Sequence, residues 1–408
     1  MSKIIWLTTQ FPSNSEDTKG SFIFRTVREL SKHYNITVIC LHSLVPPIIP
    51  MLKDISNASK IYKVWRKKYP SNPEAPPNIN FNVIYAKYIR LPRGKFHYLE
   101  GWFGYLGVKK YLNNLIDENS FLHATWLFPE GDMANIIAKK YKVPFIVTLM
   151  GSDVHFLKEN TRKWNRATDI IKKANYITSV SQELYVSLEK KNISVPESKK
   201  YLTHTIYEFA NFSIKDRKVI RNKYDIEQKE KIIFYAGTLR KLKNVHYLIE
   251  SIKLLKESNN TLKLIIAGTG EEEGNLKQLV KKLELQNEVS FVGGLSGEVI
   301  IDYYNIADIF CLPSKNEGLP NVIIESLLCG TPVVASSVGE IPHIIEDFKN
   351  GFLVEPNSSI SLKEKFIEVL KIDWDRNELR RSIAWLSPQN VLKEYHTIYK
   401  QILKQETK

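Results

Sequence analysis

Ile309-Phe310-Cys311-Leu312-Pro313-Ser314-Lys315-Asn316-Glu317-Gly318-Leu319-Pro320-Asn321-Val322-Ile323-Ile324-Glu325 is the stretch on which the fold turns. Residues 309–312 are all apolar, so they read as a strand covered on both faces; a half-solvated strand would alternate. A polar loop follows. The run 321–328, apolar at Ile323, Ile324, Leu327 and Leu328, then reads as a helix. Gly330-Thr331-Pro332 stops that helix, and 332–335 is a second buried strand. Strand, loop, helix and strand form the βαβ unit of a parallel sheet, whose ligands sit beyond the carboxyl ends of the strands.

The alternation continues outward in both directions. Strands are expected at 231–236, 262–267 and 289–292, with helices at 245–257, 275–285 and 298–305. A second series occupies the first half, with strands at 3–8, 35–41, 81–86, 121–125, 144–149 and 176–180 and a helix at 22–33. Residues 46–92 read as largely irregular, being rich in proline. The fold class is therefore α/β. Two doubly wound, Rossmann-like parallel-sheet domains, 1–207 and 208–385, are joined around 205–225 and face a cleft. In the last segment, 386–408, Val391, Leu392, Tyr395, Ile398, Tyr399 and Ile402 recur at helical spacing.

The 408 residues hold three cysteines, Cys40, Cys311 and Cys329, which argues against a disulfide framework and fits a reducing cytoplasm. The opening strand is too short for a signal core, and Pro46, Pro47 and Pro50 interrupt the longest uncharged run, so no spanning helix is expected. Net charge is +14. Residues 1–207 carry 30 Lys+Arg against 16 Asp+Glu, while 208–408 carry 28 of each, so the whole excess lies in the first half. That half is suited to an anionic partner, whether nucleic acid, membrane or phosphorylated substrate, unless the basic surface is merely solvated. Residues 60–69 interleave Lys60, Lys63, Arg66, Lys67 and Lys68 with Tyr62, Trp65 and Tyr69. Cations beside indole and phenol rings suit a membrane interface or single-stranded nucleic acid; the apolar loop 45–52 just before them favours the membrane.

Within the opening stretch, Glu317 lies on the loop and Glu325 one turn into the helix. Gly318 allows unusual backbone angles, and the helix start offers unpaired N–H groups and a positive dipole end, which suits a diphosphate. A carboxylate such as that of Glu325 has two acceptor oxygens and can take both hydroxyls of a ribose. The alternative is two acids that only offset the helix dipole. Other motifs are weaker. Gly268-Thr269-Gly270-Glu271-Glu272-Glu273-Gly274 places its third glycine one residue late for a dinucleotide turn and sets three acids where a pyrophosphate would lie. Asp373-Trp374-Asp375 does not follow a buried strand and reads as solvated surface, and the histidines show no metal-ligand spacing, so no metal site is expected.

With these residues in place, the sequence resembles glycosyltransferase family 4, the retaining group 1 transferases of the GT-B fold. Glu317 to Glu325 matches the family's E-x7-E motif. The likeness runs on through Leu264 to Gly270, Val289 to Gly293, Ala307-Asp308, Ser336 to Pro342 and Asn350 to Val354. It is looser in the first half, through Gly20 to Arg25, Gly131, Gly151-Ser152-Asp153 and Ser179 to Ser181. Within the family the chain is most similar to bacterial cell-surface polysaccharide transferases of the teichuronic acid or capsule type.

The resemblance implies roles. Glu325 would hold the donor ribose, and Glu317, Gly318 and Leu319 would meet the donor sugar and its phosphates. Lys243, six residues after Gly237, would stabilise the leaving diphosphate, work done by a metal in other transferases. Val292 and Gly293 would lie by the base. Gly20 would let the backbone approach the diphosphate. Three positions depart from the family pattern. Thr238 stands where an arginine is common, leaving Arg240 as substitute. Met150 replaces an active-centre histidine, leaving Asp153 and His123 as candidates. No Asn-Gly marks the crossover between 201 and 216. The terminal helix would return to the N-terminal domain.

The reading is a retaining, metal-independent transferase with no cofactor. Its donor is a nucleotide diphosphate-sugar, with UDP ahead of GDP. Its acceptor is a hydroxyl of a lipid-linked cell-surface glycan, met at the inner face of the cell membrane as a peripheral protein, without nucleic acid as partner. The rivals are a sugar-nucleotide epimerase on the same fold and a basic nucleic-acid-binding protein.

Overall fold

From the middle of a parallel sheet, β1 (Lys3–Thr8), β2 (Asn35–Ser43) and β3 (Asn82–Tyr88) step outward to one edge. The chain then returns to lay β4 (Ser120–Thr125) on the other side of β1, and β5 (Phe145–Leu149), β6 (Tyr176–Ser179) and β7 (Lys200–Leu202) continue to the far edge. The order is β3-β2-β1-β4-β5-β6-β7, with its reversal between β1 and β4. The second half repeats the plan with six parallel strands: β8 (Ile232–Ala236), β9 (Lys263–Ala267), β10 (Val289–Gly293), β11 (Ile309–Leu312), β12 (Val333–Ser336) and β13 (Gly351–Val354). Their order, β10-β9-β8-β11-β12-β13, reverses between β8 and β11. The computed structural model describes residues 3–14, 20–43, 55–68, 70, 73–90, 97–257, 262–318 and 320–404.

The central strands are continuous apolar runs because helices cover both faces. Ile4, Ile5, Trp6 and Leu7 of β1 and Ile232 to Ala236 of β8 are all buried. Full burial of one such aliphatic side chain is worth roughly 1.5–3 kcal/mol, so these strands anchor their sheets. The expected α/β architecture of two doubly wound parallel sheets is therefore present. Two edge strands, β7 and β13, lay outside the expected set. The irregular reading of 46–92 is corrected by a helix at Ala58–Lys68.

The chain divides into two compact units, Met1–Tyr207 with Pro388–Lys408, and Glu208–Ser387. The terminal helix Pro388–Lys404 belongs to the first. Its Val391, Tyr395, Ile398, Tyr399 and Ile402 are buried in one cluster with Ile4, Trp6, Val27 and Phe121. His204 fastens it: its N–H donates to Glu394 Oε2 at 2.9 Å, and its Nδ1 lies 2.9 Å from Glu394 Oε1. Residues 388–408 add four lysines and two glutamates, so the first unit carries +16 and the second −2. Among the described residues, no helix is long and apolar enough to cross a membrane.

Candidate active site

The reversal of the second sheet lies between β8 and β11, and the loops that follow these two strands carry Lys243 and Glu317. A turn of 3-10 helix, Lys241–Lys243, ends at Asn244, whose φ of 54° lies in the left-handed region. Lys243 Nζ donates to Glu317 Oε1 at 2.6 Å, and Ser314 Oγ donates to the same oxygen at 2.5 Å. The two loops are also stitched through the backbone, with Lys315 N–H donating to the Leu242 carbonyl at 2.8 Å. Glu317 is 11% exposed and Lys243 25%, so the pair is shielded but open to a ligand.

Glu325 stands on the helix Asn321–Leu328, which starts after Pro320 with no side-chain cap and no acid in its first turn. Its first N–H groups therefore face the loop without a competing carboxylate. Glu317 does not cap the helix, because its bonded oxygen is taken by Lys243 and Ser314. Tyr304 Oη, buried, donates to Glu325 Oε2 at 2.8 Å and fixes that carboxylate's orientation. Ile323, Ile324, Leu327 and Leu328 bury the helix's inner face.

The glycines divide by role. Gly318 does not use the unusual angles expected of it: its φ lies outside the left-handed region, and a Cβ there would meet nothing within 4 Å. Open space before the backbone is what this position provides. The strained position is Gly339, at φ +56°, where a Cβ would lie 2.0 Å from the Glu317 carbonyl oxygen. Gly339 thus lets the loop after β12 support the Glu317 backbone. Gly237 packs closely, since a Cβ would sit 2.9 Å from Tyr235 Oη. Gly293 ends β10 and accepts the Gly268 N–H at 2.6 Å, with Val292 half-buried beside it. Arg240 is exposed on the loop after β8. Leu319 lies outside the described residues.

In the first unit, Gly20 precedes the helix Ser21–Leu30 at φ +66°, and a Cβ would fall 2.3 Å from the Gln10 carbonyl oxygen. Only glycine lets the chain lie on the loop after β1 in this way. Asp153 is buried. Its Oδ2 accepts the Leu127 N–H at 3.0 Å, and its Oδ1 accepts those of Met150 and Gly151 at 3.2 and 3.0 Å. Burial raises its carboxyl against the pull of those donors. Asp153 therefore ties the loops after β4 and β5 together, and the Met150 side chain packs on the core.

His123 requires a correction. It lies on β4, is 0% exposed, and stacks on Trp6 with ring centroids 4.0 Å apart. Its Nδ1 is 2.7 Å from Tyr399 Oη and its Nε2 is 2.7 Å from Thr148 Oγ1. Burial pulls its pKa down to about 3. A neutral ring with both nitrogens engaged inside the core touches no reactant, so His123 is a structural residue of the first unit.

Asp375, of the Asp373-Trp374-Asp375 run, accepts from Asn377 and Glu378 N–H as the cap of the helix Arg376–Arg381. Among the described residues, no three His, Cys, Asp or Glu side chains gather as a metal-ligand set. Sequence reasoning missed Ser314, Tyr304 and Gly339. Ser314 carried a usable signal, standing three residues before Glu317 inside the quoted loop. Tyr304 carried none, because its partner is 21 residues away on another element.

Residues 216–384 match the family described as glycosyl transferases group 1. Along most of its length the chain is similar to the putative teichuronic acid biosynthesis glycosyltransferase TuaC of Bacillus subtilis, 26% identical over 89% of this chain and 87% of that one. Among solved structures it resembles sucrose-phosphate synthase from Thermosynechococcus elongatus, with TM-score 0.72 and 17% identity over 99% and 100% of the two chains. It also resembles Anabaena Alr3699/HepE in complex with UDP, with TM-score 0.68 and 17% identity over 98% and 99%. With two parallel sheets of the GT-B fold, the chain carries over residues 216–384, the Glu317–Glu325 segment included, a domain that matches the group 1 glycosyl transferases.

Proposed function

We propose that the chain transfers a sugar, with retention of anomeric configuration, from a nucleotide diphosphate-sugar to a hydroxyl of a lipid-linked cell-surface glycan at the inner face of the membrane. The observation that carries this reading is the 2.6 Å contact of Lys243 with Glu317 across the sheet reversal, one loop from the Glu325 helix. A nucleotide whose ribose meets Glu325 would place its diphosphate by the uncapped N–H groups of that helix. Lys243, drawn from Glu317 to the leaving phosphate, would offset the charge that develops there without a metal. Glu317, released, would face the sugar carbon, where positive charge develops. Gly20, in the first unit, would let the backbone approach a diphosphate. UDP is the preferred nucleotide, a choice supported by the UDP complex of the structurally similar Anabaena protein. The acceptor class is supported by the teichuronic acid relative and by the +16 charge of the first unit, which suits an anionic glycan and an anionic membrane.

Thermal unfolding with added UDP, GDP and oligonucleotide tests the reading. UDP at 100 times its dissociation constant should add about 2.7 kcal/mol, and Glu325→Ala should abolish the gain. Stabilisation by oligonucleotide, with none from either nucleotide, contradicts it. An epimeric sugar nucleotide formed without an acceptor would point to the epimerase.

A further inference from the structure

The two sheets share a device at their reversal points. In the second unit, the loop after β11, the fourth strand of its sheet in chain order, sends Glu317 to Lys243 on the loop after β8. In the first unit, the loop after β4, again the fourth strand, sends Glu130 to the loop after β1, where its Oε1 accepts the Thr9 N–H at 2.6 Å. Among the described residues, no lysine meets this acid. Glu130 is 0% exposed, and its Oε2 is shielded from solvent with no hydrogen-bond partner among the described residues. An unmatched polar atom in a buried site is costly, and an apolar side chain would fill the same space without that cost.

We propose that Glu130 is a positioning residue of the transferase, which clamps the loop after β1 in the shape on which Gly20 rests. The contacts run in sequence. Glu130 holds Thr9. Thr8 Oγ1 donates to the Gln10 carbonyl at 3.1 Å and accepts the Gln10 N–H at 3.0 Å, which folds the loop. The Gln10 carbonyl is the atom against which Gly20 lies. A shift at Thr9 therefore moves Gly20 and the start of the helix Ser21–Leu30. The inference rests on the proposed role of Gly20 toward a diphosphate.

The clamp holds as a neutral acid. Burial pushes the Glu130 carboxyl up to about 8, opposed by the Thr9 N–H and reinforced by Glu100. The charged neighbours are committed elsewhere. Glu100 meets Tyr88 Oη at 3.2 Å and Arg90 at 3.6 Å. Asp132 is held by Arg166 through two hydrogen bonds of 2.9 and 3.0 Å. Asp153 takes three backbone N–H groups, and Lys163 lies over the Phe128 ring. Once ionised, Glu130 gains no cation among the described residues and is relieved by water, which parts the two loops.

The test uses the full chain with Glu130→Gln, which keeps an acceptor for Thr9 but cannot ionise, and Glu130→Ala. Donor kcat/KM and hydrogen exchange over residues 7–11, corrected for the intrinsic rate, are followed from pH 6.5 to 9.5. In the wild type, kcat/KM should fall about tenfold per unit above pH ~8 while exchange rises over the same range. Glu130→Gln should stay within about threefold of wild type at neutral pH and lose the alkaline limb in both readouts, and Glu130→Ala should lose about tenfold or more throughout. An alkaline limb unchanged in Glu130→Gln, or wild-type kinetics in Glu130→Ala, overturns the proposal. If no variant consumes any donor, the donor reading has failed. Exchange then decides the clamp alone, and a flat wild-type profile overturns it.

Discussion

At Glu317 and Glu325 two acids of one short segment are given different surroundings, and the difference divides their expected effects. Glu325 is held by Tyr304 on a helix and, in its proposed role as ribose acceptor, would bind ground and transition state alike. Glu325→Ala should raise donor KM with a smaller change in kcat, on a scale of roughly 1.5–3 kcal/mol for each charged hydrogen bond lost. Glu317→Gln keeps the shape and removes the charge, so it should lower kcat by more than it raises KM. Steady-state kinetics of the two variants check this, and near-normal values in both would reduce the acids to structural roles. Both acids were legible because the motif is local: a buried strand, a polar loop and a helix start lie within 17 residues of one another. The Tyr304 and Gly339 supports were not, since they come from other elements. His123 misled for a related reason. Its type suggested chemistry, and only the packed ring of Trp6 with Tyr395 and Tyr399 shows it to be core. Its pKa of about 3 lies below the ordinary 6.5, so the unfolded chain takes up the proton first. Stability should therefore decline as pH falls from about 6.5 to about 3, by up to ~1.4 kcal/mol per unit. Urea unfolding across that range should show a shallower decline in His123→Gln; an unchanged slope would place the acid sensitivity elsewhere.

Among the elements, the helix Asn321–Leu328 matters most, and it is braced at its carboxyl end. Arg376, on the helix Arg376–Arg381, donates to the Cys329 and Gly330 carbonyls at 2.7 and 3.2 Å and to the Lys215 carbonyl at 2.8 Å. Arg380 donates to the Leu328 and Phe212 carbonyls. Cations at a helix carboxyl end satisfy carbonyls that have no partner within the helix and favour its dipole. Arg376→Ala should cost about 2–3 kcal/mol in unfolding free energy and raise donor KM, because the brace fixes the helix that carries Glu325. A stable variant with unchanged KM would separate the brace from the site. Long apolar runs made the central strands legible, and the 3.6-residue spacing of Val391 to Ile402 made the terminal helix legible. β7 was not legible: its three residues, Lys200-Tyr201-Leu202, form a part-exposed edge without an apolar run. The helix Ala58–Lys68 was hidden between proline-rich flanks, which pointed to irregular chain on both sides.

For the molecule as a whole, charge is divided as sharply as the fold, +16 on the first unit and −2 on the second. The helix Ala58–Lys68 exposes Lys60, Tyr62 and Lys63, with the Tyr62 and Trp65 rings 5.6 Å apart and the Arg66 guanidinium 5.8 Å from the Trp65 ring centroid. The side chains of Lys67 and Lys68, together with Tyr69 and the loop 45–52, lie outside the described residues. Each basic group near an anionic surface contributes about 1 kcal/mol. Replacing Lys63, Arg66, Lys67 and Lys68 together should release the protein from phosphatidylserine-containing vesicles in co-sedimentation, and undiminished binding would remove this helix from the membrane account. The central claim is donor chemistry at Lys243, Glu317 and Glu325. It is met most directly by incubating the full chain with a panel of UDP- and GDP-sugars in excess chelator and following release of the nucleoside diphosphate. Release from one UDP-sugar with the anomeric configuration retained in the product, lost in Lys243→Ala, is the predicted result. No release from any sugar nucleotide, or release that depends on added metal and survives Lys243→Ala, would contradict it.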